Sequence, residues 1–187
     1  MSILILHGWE NNSSGNWFPW LKTELEKLEE TVYAPDLPNS DFPKQKEWLT
    51  KINETIKDEQ IEELVIVGHS MGAVAILRFL ETLEEGKKIK CAILVGGFTT
   101  NKNERAGHIK AISDFFKTPF NWEKIKQSCE KFIIIASDND PYIPMKESEK
   151  LRSLLNKPNT EFIVEHNAGH MNKESGFIKY ERVLELI

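Results

Sequence analysis

The 187 residues suggest one domain, on a prior of about 150 residues each, and leave room for a core that needs no metal or disulfide support. An apolar fraction of 40% and a net charge of −5 describe an ordinary soluble globular chain. The excess of acid over base argues against nucleic acid or an anionic membrane as a partner.

The chain opens on a continuous apolar run, 2–6, of the kind buried on both faces of a sheet. It breaks at His7-Gly8-Trp9 and passes into a polar loop over 10–16. Apolar residues at helical spacing, Trp17, Trp20, Leu21, Leu25 and Leu28, predict a helix over 17–29, with Pro19 tolerated in its first turn. A short strand, 31–34, is closed by Pro35-Asp36-Leu37-Pro38. A helix over 46–56 follows, then a strand at 64–67, a helix over 73–83 and a buried strand at 91–95 that ends in Gly96-Gly97. From 98 to 121 the pattern loosens into an irregular excursion with room for one short helix. The last third predicts a helix over 122–129, a strand at 132–136, a helix over 146–155, a strand at 161–164 and a helix over 177–187. Six strands alternating with helices predict a three-layer α/β/α sandwich with a six-stranded parallel sheet, in one domain spanning 1–187.

The strand at 64–67 runs into Gly68-His69-Ser70-Met71-Gly72, and a good helix sequence follows at once. Strand, sharp turn and helix form the context in which a Gly-X-Ser-X-Gly run carries a nucleophile. Ser70 is the expected nucleophile, with the amide of Met71 in the helix's first turn as an oxyanion donor. A β-carbon at Gly68 or Gly72 would collide with the neighbouring strand or helix. A serine hydroxyl needs a base, and the base an orienting acid, in the chain order Ser, acid, His. Of the histidines that follow, His108 lies in the excursion, His166 ends the sixth strand and His170 sits on the loop beyond it. His170 is the expected base. Asp140 and Asp138 both follow the fifth strand; Asp140 is favoured as the acid, and Asp138 is expected to cap its turn. The second oxyanion donor is expected from the loop after the first strand, at the amide of Trp9 or of neighbouring Glu10. His7 is expected to pack inside as a satisfied core residue, and His69 to be structural or to line the substrate site together with Phe98.

Trp17, Trp20, Trp48 and Trp122 read as core. Phe115, Phe116 and Phe120 either close the core or line an acyl pocket, and Asp36 is a turn residue able to touch substrate. Cys91 and Cys129 lack metal-ligand spacing, so buried thiols are expected, with a single disulfide as the alternative. The apolar N-terminal run is too short for a signal-peptide core, and no run approaches the ~18 apolar residues of a membrane span. A cytoplasmic location is expected.

On His7-Gly8-Trp9, Gly68-His69-Ser70-Met71-Gly72, Asp140 and Gly169-His170, the chain resembles the α/β-hydrolase superfamily over its whole length. Through Asn16-Trp17-Phe18-Pro19-Trp20, Asn121-Trp122-Glu123-Lys124-Ile125 and Asp138-Asn139-Asp140-Pro141 it resembles, more narrowly, the small serine hydrolases of the retinoblastoma-binding-protein-9 type and their bacterial relatives. The resemblance implies a compact, cap-less hydrolase with a triad on Ser70, Asp140 and His170, no metal and no cofactor. A carboxylesterase acting on a small soluble acyl substrate is the favoured activity. A serine aminopeptidase, a thioesterase, or a module that keeps the fold to bind a protein partner are the alternatives.

Overall fold

The computed structural model describes residues 1–103 and 107–187. The first strand, β1 (Ser2–Leu6), is buried along its whole length, as its unbroken apolar sequence requires. Helix α1 (Phe18–Lys27) leads to β2 (Thr31–Tyr33), and α2 (Gln45–Thr55) to β3 (Leu64–His69). Helix α3 (Met71–Thr82), β4 (Ile89–Val95), α4 (Trp122–Gln127), β7 (Cys129–Ser137), α5 (Met145–Leu154), β8 (Thr160–Glu165) and α6 (Glu181–Glu185) complete the layers. Between β4 and α4, a two-residue antiparallel ladder joins β5 (Lys102–Asn103) to β6 (Gly107–His108), and one turn of 3-10 helix covers Ser113–Phe116.

The main sheet has the order β2-β1-β3-β4-β7-β8, and every neighbouring pair is parallel. Alternation along the strands divides the apolar side chains between the two faces. Leu4, Leu6, Ile66, Leu94 and Ile134 pack against α2, α3, α4 and α5, whereas Ile3, Ile5, Val65, Val67 and Ile133 pack against α1 and α6. The chain starts in mid-sheet, steps to β2, then crosses back over β1 to β3 and continues the other way. The strand order thus reverses between β1 and β3, and a crevice opens at the carboxyl ends of such a pair. Both His7-Gly8-Trp9 and Ser70 lie at those ends.

Helix α3 is buried from Met71 through Leu80, Arg78 included. The Arg78 guanidinium donates to the carbonyls of Phe115 (2.7 and 2.9 Å) and Thr118 (2.6 Å), pairs with Glu81 at 2.8 Å, and lies 3.7 Å from the ring centre of Phe120. One side chain on α3 therefore pins the end of the excursion. Arg78→Met leaves these carbonyls without a donor and is expected to cost about 2–4 kcal/mol in urea denaturation. Arg78→Lys restores only part, because an ammonium lacks the planar fork that reaches several carbonyls at once.

Three sequence expectations shift. Cys129, expected at the end of a helix, is instead the first residue of β7, in register with Ile89 of β4. The helix expected over 177–187 shrinks to Glu181–Glu185. Tyr180 stays extended at φ −146° so that its ring meets Phe177 edge-on and its hydroxyl reaches Glu165 at 3.2 Å and the Met171 sulfur at 3.4 Å. Tertiary packing overrides the helical period there. The 98–121 excursion carries the short β5–β6 ladder as well as one helical turn. Both cysteines are free and buried, and burial pushes the Cys91 thiol up to about 11. Among the described residues no helix is long and apolar enough to cross a membrane.

Candidate active site

The turn from β3 into α3 holds Ser70 at φ 55°, ψ −117°, a region that L-residues rarely occupy. The Ser70 N–H donates to the Val95 carbonyl at 2.8 Å, which ties the strained residue to the end of β4. The flanking glycines are required by contact. A Cβ on Gly68 would stand 2.5 Å from the carbonyl carbon of Gly72, and one on Gly72 would strike the carbonyls of Leu6 and His7. Met71 opens α3, so its N–H has no acceptor within the helix.

The loop after β1 closes on the same point. A Cβ on Gly8 would lie 3.1 Å from Ser70 Cβ and 3.5 Å from the Met71 nitrogen. His7 is buried with both ring nitrogens bonded: Nδ1–H donates to the Gly8 carbonyl and Nε2 accepts the Leu37 N–H, each at 2.8 Å. Burial holds this imidazole below its ordinary pKa, in keeping with a neutral ring that donates on one side and accepts on the other. The Gly8–Trp9 peptide is trans, so a carbonyl pointing at His7 turns the Trp9 N–H away from it. His7 orients that amide.

Residues 138–140, at the end of β7, grip the loop after β8 at three points. Asp140 Oδ2 lies 2.7 Å from His170 Nδ1, while Oδ1 accepts the N–H groups of Tyr142 and Ile143 at 2.7 and 2.9 Å. Asn139 Oδ1 accepts the Gly169 N–H at 2.7 Å. Asp138 bonds the Asn167 N–H at 2.9 Å and His166 Nδ1 at 2.6 Å, and these two groups hold its carboxyl below the usual carboxylate range. The two acids and two histidines that the sequence offered thus fall into separate pairs. Asp140 and His170 are buried, and His166 is exposed. A carboxylate can only accept, so the His170 proton sits on Nδ1 and Nε2 carries a free lone pair.

His69 packs its ring 4.7 Å from that of His170, and its Nε2–H donates to the His170 carbonyl at 2.8 Å. Its Nδ1 is buried with no hydrogen-bond partner among the described residues. Burial first, and then electrostatic coupling to neighbouring His170, depress His69 to about 3, so it stays neutral. In the unfolded chain the ordinary value near 6.5 applies. Stability is therefore complete above pH 6.5 and is lost as pH falls toward 3, by up to about 1.4 kcal/mol per pH unit for this proton. His7 acts in the same direction. Urea titrations between pH 4 and 7 are expected to show this slope, and His69→Gln is expected to reduce it by about one proton. An unchanged slope would assign the acid sensitivity elsewhere.

Ser70, His170, Trp9 and Met71 line one cleft of about 530 Å³, together with His69 and Phe98. Glu10 is also on its wall, but its N–H donates to the Ser40 carbonyl at 3.1 Å, which leaves the Trp9 amide as the better placed of the two. Asp36 is a turn residue, its carboxylate accepting the Ser13 N–H at 2.8 Å. Phe115 is core, edge-on to Trp48 at 5.3 Å, and neither it nor Phe116 nor Phe120 is on the cleft wall among the described residues. The His108 side chain lies outside the described structure. Sequence reasoning missed Tyr142, whose ring is 5.0 Å from that of His170, and Ile109, Ile112 and Ile143 on the cleft wall. Tyr142 and Ile143 follow Asp140 directly, so proximity in the chain was the available signal; Ile109 and Ile112 carry none.

The family model described as "Serine hydrolase" matches residues 3–187. The chain belongs to the serine hydrolase family. YdeN of Bacillus subtilis (strain 168) is 31% identical over 187 residues, which cover 99% of this serine hydrolase and 93% of YdeN. The serine hydrolase RBBP9 of Rattus norvegicus is 31% identical over 143 residues, 74% of this chain and 70% of RBBP9. The crystal structure of the ydeN gene product superposes with a TM-score of 0.89 at 28% identity, covering 99% of this chain and 95% of that one. Membership makes the protein a hydrolase, on an α/β-hydrolase fold.

Proposed function

We propose that this serine hydrolase cleaves small carboxylic esters by acyl transfer through Ser70, His170 and Asp140. The observation that carries the reading is the buried 2.7 Å contact of His170 Nδ1 with Asp140, in the cleft that also holds the strained Ser70. Ser70 Oγ attacks the ester carbonyl as His170 Nε2 takes its proton. The amides of Met71 and Trp9 receive the developing oxyanion, and such a donor contributes about 10²–10³ in rate. Asp140 holds the reactive tautomer and stabilises the imidazolium. His170 then protonates the departing alcohol, and water activated by the same histidine releases the acyl group. No metal or cofactor enters this scheme. The free, buried Cys91 and Cys129 support a reducing compartment, for which the cytoplasm is our reading.

Labelling by a fluorophosphonate probe tests the nucleophile. The natural chain is expected to label and Ser70→Ala to stay unlabelled. A folded natural chain that resists the probe would contradict an activated serine. A panel of p-nitrophenyl esters, thioesters and aminoacyl amides then separates esterase from thioesterase and aminopeptidase.

A further inference from the structure

We infer that the ester's leaving group is a small, neutral, hydroxyl-rich alcohol, and that the acyl chain is apolar; this rests on the roles of Ser70 and His170 proposed above. The cleft lining has two compositions. Phe98, Ile112 and Ile143 belong to the core cluster under α2–α5, and Ile109 packs on it. Polar residues edge this patch at Thr100, Asn101, Lys102 and Glu147, and two further polar segments of the wall come from the loops 10–16 after β1 and 172–174 after His170. These loops are joined where Asn16 Oδ1 accepts the Lys173 N–H at 3.1 Å.

Proton transfer decides which part of the ester meets which wall. In the first step a bond forms between Ser70 Oγ and the acyl carbon, and the carbon–oxygen bond to the alcohol breaks. The serine proton passes through His170 Nε2 to the departing oxygen. The alcohol must therefore leave on the His170 side, where residues 172–174 follow after Met171 and the Tyr142 ring lies 5.0 Å from the imidazole. The acyl chain is left with the isoleucines and Phe98, where burial of methylenes favours it.

The polar wall is already set to donate. Asn11 Oδ1 accepts the Asn12 N–H at 2.8 Å, Asn16 Oδ1 that of Lys173, and Asn172 Oδ1 the N–H and hydroxyl of Ser175 at 3.0 and 2.8 Å. A backbone N–H draws the oxygen of each amide toward the protein, which leaves the NH₂ groups as the donors these side chains offer a ligand. Asn16 Nδ2 is buried with no acceptor among the described residues. A donor in that state gains from a ligand oxygen that reaches it. Lys173, Glu10 and Glu174 are exposed and of mixed sign, which favours a neutral oxygen-rich group over an anion.

The test compares glyceryl 1-butyrate with n-propyl butyrate, alcohols of the same carbon skeleton that differ by two hydroxyls. With p-nitrophenyl butyrate, whose phenolate leaves without recognition, the same assay reports acyl transfer alone. The glyceryl ester is expected to have a kcat/KM about tenfold higher, the sum of two modest hydrogen bonds. Asn16→Asp keeps the acceptor for Lys173 but removes the donor, and is expected to cut that preference about threefold or more. Asn172→Asp does the same while keeping both Ser175 bonds, and serves if Asn16→Asp does not fold. Turnover of p-nitrophenyl butyrate with equal or better use of the propyl ester overturns the leaving-group inference and leaves acyl transfer standing. Failure to turn over p-nitrophenyl butyrate, together with failure of the fluorophosphonate to label, overturns both.

Discussion

Asp140→Asn is expected to lower kcat on p-nitrophenyl butyrate by about 10⁴ while leaving the fold intact. The geometry dictates the sign. Asp140 Oδ1 accepts two backbone N–H groups, from Tyr142 and Ile143, and in the variant that atom must remain an oxygen. The NH₂ then replaces Oδ2, the atom 2.7 Å from His170 Nδ1. A donor there turns Nδ1 into the acceptor and moves the histidine proton to Nε2, the nitrogen that should receive the serine proton. The side chain is isosteric, so circular dichroism and the thermal midpoint are expected to change little. A loss below tenfold would mean that His170 is oriented by other groups, and the Nε2–H bond of His69 to the His170 carbonyl is the first to test.

Gly72→Ala is expected to destabilise the chain by about 3 kcal/mol or more, enough to deplete the folded form at 37 °C. The added methyl would meet the carbonyls of Leu6 and His7, the second at 2.7 Å. Both are backbone, at the end of the strand paired with β3, so neither yields as a side chain would. Moving α3 outward to make room would drag Ser70 and the Met71 amide away from Trp9. Gly86→Ala is the control, at φ 83° with nothing within 4 Å of the new methyl. It is expected to cost about 1 kcal/mol from backbone strain alone. Urea midpoints for the pair separate collision from conformation, and equal costs would refute the packing argument.

The element that organises the cleft was legible in the sequence because its causes are local. An apolar β-branched run, glycines two residues either side of Ser70 and a helix-forming segment lie within 64–82, and each feature acts on its immediate neighbours. The six strands of the main sheet and their alternation with helices were legible for the same reason. The C-terminal helix was not, since Phe177 and Tyr180 have a helical spacing and yet meet edge-on, with the Tyr180 hydroxyl reaching Glu165 and Met171.

What only the tertiary structure decided is which acid meets which histidine. Asp138 and Asp140 follow one strand, His166 and His170 the next; loop position favoured Asp140 and His170, but the contacts that pair each acid with its histidine are not local to either loop. The parallel register of β7 and β8 sets Ser137 beside Glu165, and the Asp138 N–H bonds the Glu165 carbonyl at 3.2 Å. Counting outward from that lock, Asp138 falls to Asn167 and His166, Asn139 to Gly169, and Asp140 to His170. The orientation of the Trp9 amide depends in the same way on Leu37, 30 residues from His7. Period and turn chemistry are properties of neighbours along the chain; hydrogen-bond partners 30 residues apart are properties of strand register, which exists only once the sheet has formed.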